Sequence, residues 1–295
     1  MKQEKDGPAM SSFGLSISAL ASGILAAAVW AAAAPAVAQQ RAAPPNFSAK
    51  AGVAWLAVGG GGGGFAPVPG RVPPLAADPA HPYVANNNRE GRQPTDRIGD
   101  LSNPNLKPWV KEVMRKDIED VLAGKKIAFT PRSSCMPSGV PAFMAYGGGA
   151  FATYFLQTPR EIWIIFSGEQ EVRRVYLDVA HTANPKPSWY GESVGHYEGD
   201  TLVVDTIGQN TRTLVDPFRT PHTEKLHVVE RWRMVDNNQA MEVTVTVEDP
   251  DTYYEPWSGV RRYRRVHQDY VERSCAENPQ QLVDWHIPVA SKPDF

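Results

Sequence analysis

Apolar and polar residues alternate strictly between Ala240 and Glu248. The apolar phase consists of Met241, Val243, Val245 and Val247. The polar phase consists of Glu242, Thr244, Thr246 and Glu248. Because successive side chains on a strand point to opposite faces of a sheet, this pattern predicts a strand with one face in a hydrophobic core. The fold must therefore bury one side of a β-sheet.

Similar short runs, rich in β-branched and aromatic residues, fill the second half of the chain. With turns such as Gly199-Asp200 between them, they predict strands at 151–158, 161–166, 171–178, 193–198, 201–207, 226–235, 240–248, 259–267 and 269–275. Strands joined in this order form an antiparallel meander, which closes into a barrel or a strongly curved sheet. The predicted fold class is mainly β.

One helix is predicted before the strands. Pro108 suits a first helical turn, apolar residues recur at helical spacing to Ala123, and Gly124 ends the pattern. This N-terminal helix is expected to cover the core. Residues 39–104 are rich in proline and glycine, so they are predicted to be a flexible leader, and 105–295 a single β-rich domain.

Residues 1–38 have the three parts of a secretory signal peptide. Lys2 and Lys5 form the charged start, an apolar stretch follows, and Ala36-Val37-Ala38 is a small-residue cleavage site. The protein is therefore predicted to be periplasmic or secreted. No later stretch reaches the roughly 18 apolar residues of a spanning helix, so no membrane span is expected after cleavage. The alternative is a retained membrane anchor.

The chain has two cysteines, Cys135 and Cys275. An oxidising compartment favours a disulfide between them. The alternative is a nucleophilic thiol, which needs a group that lowers its pKa, and Arg132 is the nearest candidate in sequence.

The charge balance argues against nucleic acid as a partner. The net charge is -2 and the isoelectric point is about 6.4, so the chain has no general basic field. A local basic run contains Arg261, Arg262, Arg264 and Arg265. On a strand these residues divide between the two faces, so the run is not predicted to be a binding patch.

Ionisable residues concentrate between His181 and Glu230. Glu230 shares its phase with Val228 and Trp232, so it is expected inside the barrel. Asp205 shares its phase with Val203 and Ile207, and it is expected to face a partly buried interior. A buried carboxylate must be paired, neutralised or functional. The structural interpretation of Glu230 is an ion pair with an inward arginine such as Arg174.

The candidate catalytic residues are His181, His222, Glu230, Asp205 and Arg174. A histidine would act as general base, a carboxylate would orient it or act as acid, and the arginine would stabilise negative charge. The reaction would be a lyase, isomerase or hydrolase step without a cofactor. A metal bound by His181, His222 and Asp205 is an alternative, but no rigid ligand spacing supports it and no metal is predicted.

A binding function is the leading hypothesis, with an apolar or aromatic small molecule as the partner. The candidate ligand-binding residues are Tyr176, Trp163, Trp232, His196, Tyr197, Asn210 and His227. Lipocalin barrels, which hold one small ligand, are similar at the level of fold only. An apolar carrier needs no ionisable cluster, whereas no known catalytic template matches the spacing. A structural envelope component is the third hypothesis.

Three segments of the second half carry a resemblance to known proteins. They are EGDTLVVDT at 198–206, PHTEKLHVVERWR at 221–233 and DPDTYYEPW at 249–257. With these segments, the chain resembles a large family of exported bacterial proteins of unassigned function. The resemblance implies export and no particular reaction. Tyr197 stands where many relatives have tryptophan, which is a departure at a predicted pocket wall.

Overall fold

The computed structural model describes residues 44–48, 52–59, 64–82, 97–126, 128–145, 152–168 and 171–271. The predicted signal peptide and Cys275 lie outside these residues, so export and the disulfide stay predictions. Every described residue belongs to one compact unit, Arg41–Phe295. In the described ranges, no helix combines the length and the apolarity needed to cross a bilayer.

The fold is mainly β, as predicted. Ten strands occur in the described residues: β1 Val53–Val58, β2 Ala66–Pro67, β3 Ala152–Gln157, β4 Glu161–Phe166, β5 Glu171–Leu177, β6 Glu192–Glu198, β7 Thr201–Ile207, β8 His227–Val235, β9 Ala240–Glu248 and β10 Trp257–His267. They pair in the order β1-β3-β4-β5-β6-β7-β8-β9-β10, and β10 pairs again with β1. The sheet therefore closes into a nine-stranded barrel, with β2 added to β10.

One junction departs from an antiparallel meander. β5 and β6 pair in parallel, with Tyr176 opposite Val194 and Leu177 opposite Gly195. Parallel neighbours need a connection that returns to the other end of the sheet. The loop 178–191 supplies it, and this loop carries His181 and Trp189.

The strand β1 closes the ring from within the predicted leader. It pairs with β10 along its whole length and with β3 at Trp55 and Leu56. The predicted flexible leader, residues 39–104, therefore contributes a strand to the barrel, which its proline-rich and glycine-rich composition did not indicate. Both faces of β1 are buried, so its sequence VAWLAV is apolar throughout and shows no alternation. The predicted strand 269–275 does not form over 269–271, and its remainder lies outside the described residues.

The barrel interior is filled by side chains. Trp55, Phe155 and Trp232 are each at most 1% exposed. The ring centroids of Phe155 and Trp232 are 5.5 Å apart, and those of Trp232 and Tyr263 are 5.8 Å apart. Interdigitated rings of this kind make a packed core, in which no open lumen separates the strands.

Helices occur before β3. The helix α1, Pro108–Leu122, buries Val110, Met114, Ile118 and Val121. Two of these residues, Val110 and Met114, belong to the same core cluster as the inward residues of the strands. That α1 covers the barrel stays a prediction. A short 3-10 helix, Pro131–Ser134, is followed by α2, Ala142–Ala145, which is buried throughout.

Candidate functional site

Glu230 lies inside the barrel, as its alternation indicates, and is fully buried. Arg173 binds it through two hydrogen bonds, from Nη1 to Oε1 at 3.0 Å and from Nη2 to Oε2 at 2.5 Å. The prediction of Arg174 as the partner is wrong. In β5 the inward positions are Glu171, Arg173, Val175 and Leu177. Since charged residues occur in both phases of this strand, its sequence did not indicate which phase faces inward.

Further hydrogen bonds satisfy the Arg173 guanidinium. Its Nε donates to Ser193 Oγ at 3.1 Å, and Nη2 donates to Thr206 Oγ1 at 2.7 Å. The Phe143 ring lies 5.5 Å from Cζ. Protein groups therefore hold the ion pair from β5, β6, β7 and β8. This arrangement braces the barrel wall and leaves Glu230 poorly placed to exchange a proton with a substrate.

A histidine–carboxylate chain runs along the outside of the barrel, and it consists of Glu192, His181, Asp205, His227 and Glu248. His181 Nδ1 lies 3.0 Å from Glu192 Oε1, and its Nε2 lies 2.8 Å from Asp205 Oδ1. His227 Nε2 lies 3.0 Å from Asp205 Oδ2, and its Nδ1 lies 3.6 Å from Glu248 Oε2. Two predicted catalytic residues, His181 and Asp205, are thus in direct contact. The predicted ligand residue His227 contacts Asp205 as well.

Asp205 faces outward and not toward the interior that the sequence indicated. The inward phase of β7 is Leu202, Val204 and Thr206, all fully buried. Val203 is apolar as well, so both phases of the strand look like core in the sequence. The pairing with β8 settles the question because Val204 is opposite the inward Glu230.

Hydrogen bonds within the histidine–carboxylate chain shift the pKa values of Asp205 and His227. Burial opposes ionisation of Asp205, but hydrogen bonds from His227 and His181 outweigh it and lower the pKa of the carboxyl. The hydrogen bond to Asp205 raises the pKa of His227, against the effect of burial. Both ring nitrogens of His181 face carboxylate oxygens, and a neutral imidazole has only one N–H to donate. Each ring nitrogen of His181 is therefore engaged by a carboxylate and is poorly placed to reach a substrate proton.

His222 makes its hydrogen bonds outside the histidine–carboxylate chain. Its Nε2 is 2.7 Å from Thr213 Oγ1, and its Nδ1 is 2.8 Å from the carbonyl oxygen of Thr223. Burial lowers the pKa of His222. The predicted metal ligands His181, His222 and Asp205 do not assemble, and within the described ranges no three His, Cys, Asp or Glu residues could hold a metal ion.

The predicted ligand-binding residues are divided between the two sides of the barrel wall. Trp232 is inside, whereas Trp163, Arg174 and Tyr176 form an outer stack. In this stack Arg174 Cζ lies 5.0 Å from the Trp163 ring centroid and 4.9 Å from that of Tyr176. Glu161 pairs with the same arginine at 2.6 Å.

Two more predicted ligand residues lie apart from both of these groups in their side-chain contacts. His196 pairs with Glu198 at 3.1 Å on an exposed surface. Asn210 Oδ1 accepts a hydrogen bond from the backbone of Arg212 at 3.0 Å. Neither residue is joined to Trp232 or to the outer stack by these contacts.

Residues 44–48, here called the strap, lie across one mouth of the barrel. Phe47 is fully buried, and its ring centroid is 5.5 Å from that of Phe155. Gln157 Oε1 accepts hydrogen bonds from the backbone N–H of Phe47 at 2.6 Å and of Ser48 at 2.9 Å. Gln157 Nε2 donates to the carbonyl oxygen of Pro45 and to Tyr197 Oη, both at 2.9 Å.

Sequence reasoning missed the strap, Phe47 and Gln157. The one local signal is a single phenylalanine in the segment AAPPNFSAK, where alanine and proline otherwise dominate. Tyr197 was identified, and it is the predicted ligand residue that meets the strap through Gln157.

Clefts flank the strap on two sides. One of about 640 Å³, here called the mouth cleft, is lined by strap residues and by Gln157, Pro159, Leu177, Asp178 and Tyr197. A second, of about 490 Å³, is lined by the strap and by Asp200, Met234, Asn238 and Arg265. A third, of about 390 Å³, lies elsewhere, beside Glu171, Trp189 and Tyr190.

The fold and these sites define a closed β-barrel with a packed interior, in which the strap covers one mouth. No protein family, curated protein or solved structure matches the chain. The resemblance to exported bacterial proteins therefore stays a prediction.

Proposed function

We propose that this protein is an exported β-barrel that binds an apolar or aromatic small molecule in the mouth cleft. The observation that carries the proposal is the position of the cleft, between the strap and the barrel rim and beside Tyr197. Its volume of about 640 Å³ is within the range of small-molecule sites. Export rests on the signal-peptide pattern of residues 1–38.

The lining of the mouth cleft suits a ring-shaped ligand. Pro44, Pro159 and Leu177 offer apolar surface, and Tyr197 offers an aromatic face. Polar residues of the lining, such as Asn46, Ser48 and Asp178, would orient the ligand through hydrogen bonds.

The enzyme hypothesis has less support than binding. Glu230 is engaged by Arg173, and His222 is buried between two threonines. His181 faces a carboxylate at each ring nitrogen. A general base needs a nitrogen or oxygen that can reach a substrate proton. These contacts favour structural bracing for the residues that the enzyme hypothesis requires.

A thermal-shift screen tests the binding function. Phenolics, fatty acids and sugars are added to the mature protein, and a ligand of the folded state raises the melting temperature. The expected hit contains an aromatic or aliphatic ring. Tyr197→Ala should weaken its binding at least about tenfold, which corresponds to about 1.4 kcal/mol.

Tyr176→Ala is the matched control because Tyr176 lies on the outer stack, beside Arg174. It should leave the affinity of the hit unchanged. Equal affinities in the wild type and in a folded Tyr197→Ala variant would contradict the proposed site. A screen in which no compound raises the melting temperature would contradict the binding function itself.

A further inference from the structure

We infer that the strap is an exchangeable plug, and that the pocket filled by the Phe47 ring accepts the ring of a small aromatic molecule when the strap leaves. The inference goes beyond the proposed function, since the pocket that Phe47 fills is distinct from the mouth cleft, which the strap itself lines. It identifies a monocyclic aromatic as the ligand class of this pocket, and it makes the strap a competitor for the pocket.

The pocket is built for an aromatic ring. Phe47 is fully buried, and its centroid lies 5.5 Å from that of Phe155. The series of ring contacts continues from Phe155 to Trp232 and from Trp232 to Tyr263. A planar apolar ligand in place of Phe47 would keep the first contact of this series.

A polar feature of the interior also points to a ligand. The indole N–H of Trp232 is buried and has no hydrogen-bond partner within the described part of the chain. A buried donor without an acceptor is unfavourable by about 1–3 kcal/mol. A phenol brings an acceptor oxygen into this interior, which favours a phenol over a plain hydrocarbon as the ligand.

Side-chain contacts, and not strand pairing, hold the strap on the barrel. Within the described residues, two barrel residues make the hydrogen bonds to the strap. Gln157 bonds to it through both its side chain and its backbone. The Trp55 indole donates to the carbonyl oxygen of Phe47 at 2.9 Å. Among the backbone hydrogen bonds of the described ranges, none joins the strap to a strand. Pairing of β1 with β10 begins only at Val53. The strap can therefore leave without opening the barrel.

Competition follows from the covalent link. A tethered plug acts at an effective concentration in the millimolar range for short linkers, so a free ligand sees only the fraction of molecules with an open pocket. Any change that releases the strap should raise the apparent affinity for a phenol. The Phe47 ring and the Gln157 clamp can each be removed separately.

The experiment measures p-cresol binding by calorimetry to the mature chain, residues 39–295. Phe47→Ala should bind one p-cresol at least about tenfold more tightly than the wild type. Any Phe→Ala cavity could admit such a probe, so Gln157→Ala is the decisive variant. It keeps Phe47 and its pocket and removes the side-chain hydrogen bonds that hold the strap. It should also bind more tightly, and amide exchange of residues 46–48 should accelerate. The matched control is Gln239→Ala, at an exposed turn, which should behave as the wild type.

A peptide with the sequence of residues 43–49, APPNFSA, should displace p-cresol from Phe47→Ala, and the same peptide with alanine for the phenylalanine should not. Each variant is checked by its melting curve, and Gln157→Ala serves if Phe47→Ala does not fold. The inference is overturned if folded Gln157→Ala binds no more tightly than the wild type. In that case a screening hit that still depends on Tyr197 would leave the mouth cleft as the binding site.

Discussion

Replacement of Glu230 by alanine leaves the Arg173 guanidinium buried without its carboxylate. The two side chains are 0% and 2% exposed, and two hydrogen bonds join them. Breaking a buried ion pair of this kind costs about 3–5 kcal/mol of unfolding free energy. For a chain of this size, each kcal/mol lowers the melting temperature by about 2–4 °C, so we expect a loss of roughly 6–20 °C.

Urea unfolding measures the same loss directly, through the midpoint at an unchanged slope. Arg174→Ala is the control since this neighbouring arginine points to solvent, and its effect should be far smaller. The double change Arg173→Met with Glu230→Leu should be less destabilising than Glu230→Ala alone because no charge then remains buried. A Glu230→Ala variant within about 1 kcal/mol of the wild type would refute the bracing role of this pair.

Two further variants test local features of the fold. The hydrogen bond to Asp205 raises the pKa of His227 above its ordinary value of 6.5. Protonated His227 therefore stabilises the folded state fully below about pH 6.5, and this stabilisation is lost as the pH rises through the pKa of His227 in the folded protein. The melting temperatures of wild type and His227→Gln should therefore differ near about pH 6 and converge near about pH 9, and a difference that is constant with pH would contradict this. Gly191 and Gly199 both have positive φ, but an added Cβ would lie 2.2 Å from the Ile207 carbonyl oxygen at the first position and near nothing at the second. Gly199→Ala should lower the free energy of unfolding by about 1–2 kcal/mol because of backbone strain alone, and Gly191→Ala should lower it clearly more. Urea unfolding measures both losses. Equal losses would argue against the close approach of Gly191 to the Ile207 backbone.

Local alternation was sufficient where a strand has one polar and one apolar face. The strand predicted at 240–248 agrees with β9 residue for residue, and the inward position of Glu230 follows from Val228 and Trp232 alone. The period of a strand is a property of consecutive residues, so it can be read without knowing any neighbour.

Other features depend on residues far apart in the chain. Whether Arg173 or Arg174 faces the core, and whether Asp205 faces out, is decided by the pairing of β5 and β7 with their neighbours, because both strands are ambiguous in sequence. The strand β1 has no alternation since both of its faces are buried. Phe47 meets Gln157 across 110 positions of the chain. The local pattern of the sequence thus established a β-rich fold with an acidic group inside. Only closure of the barrel determined which charges pair and what fills its mouth, because closure creates contacts that no local pattern contains.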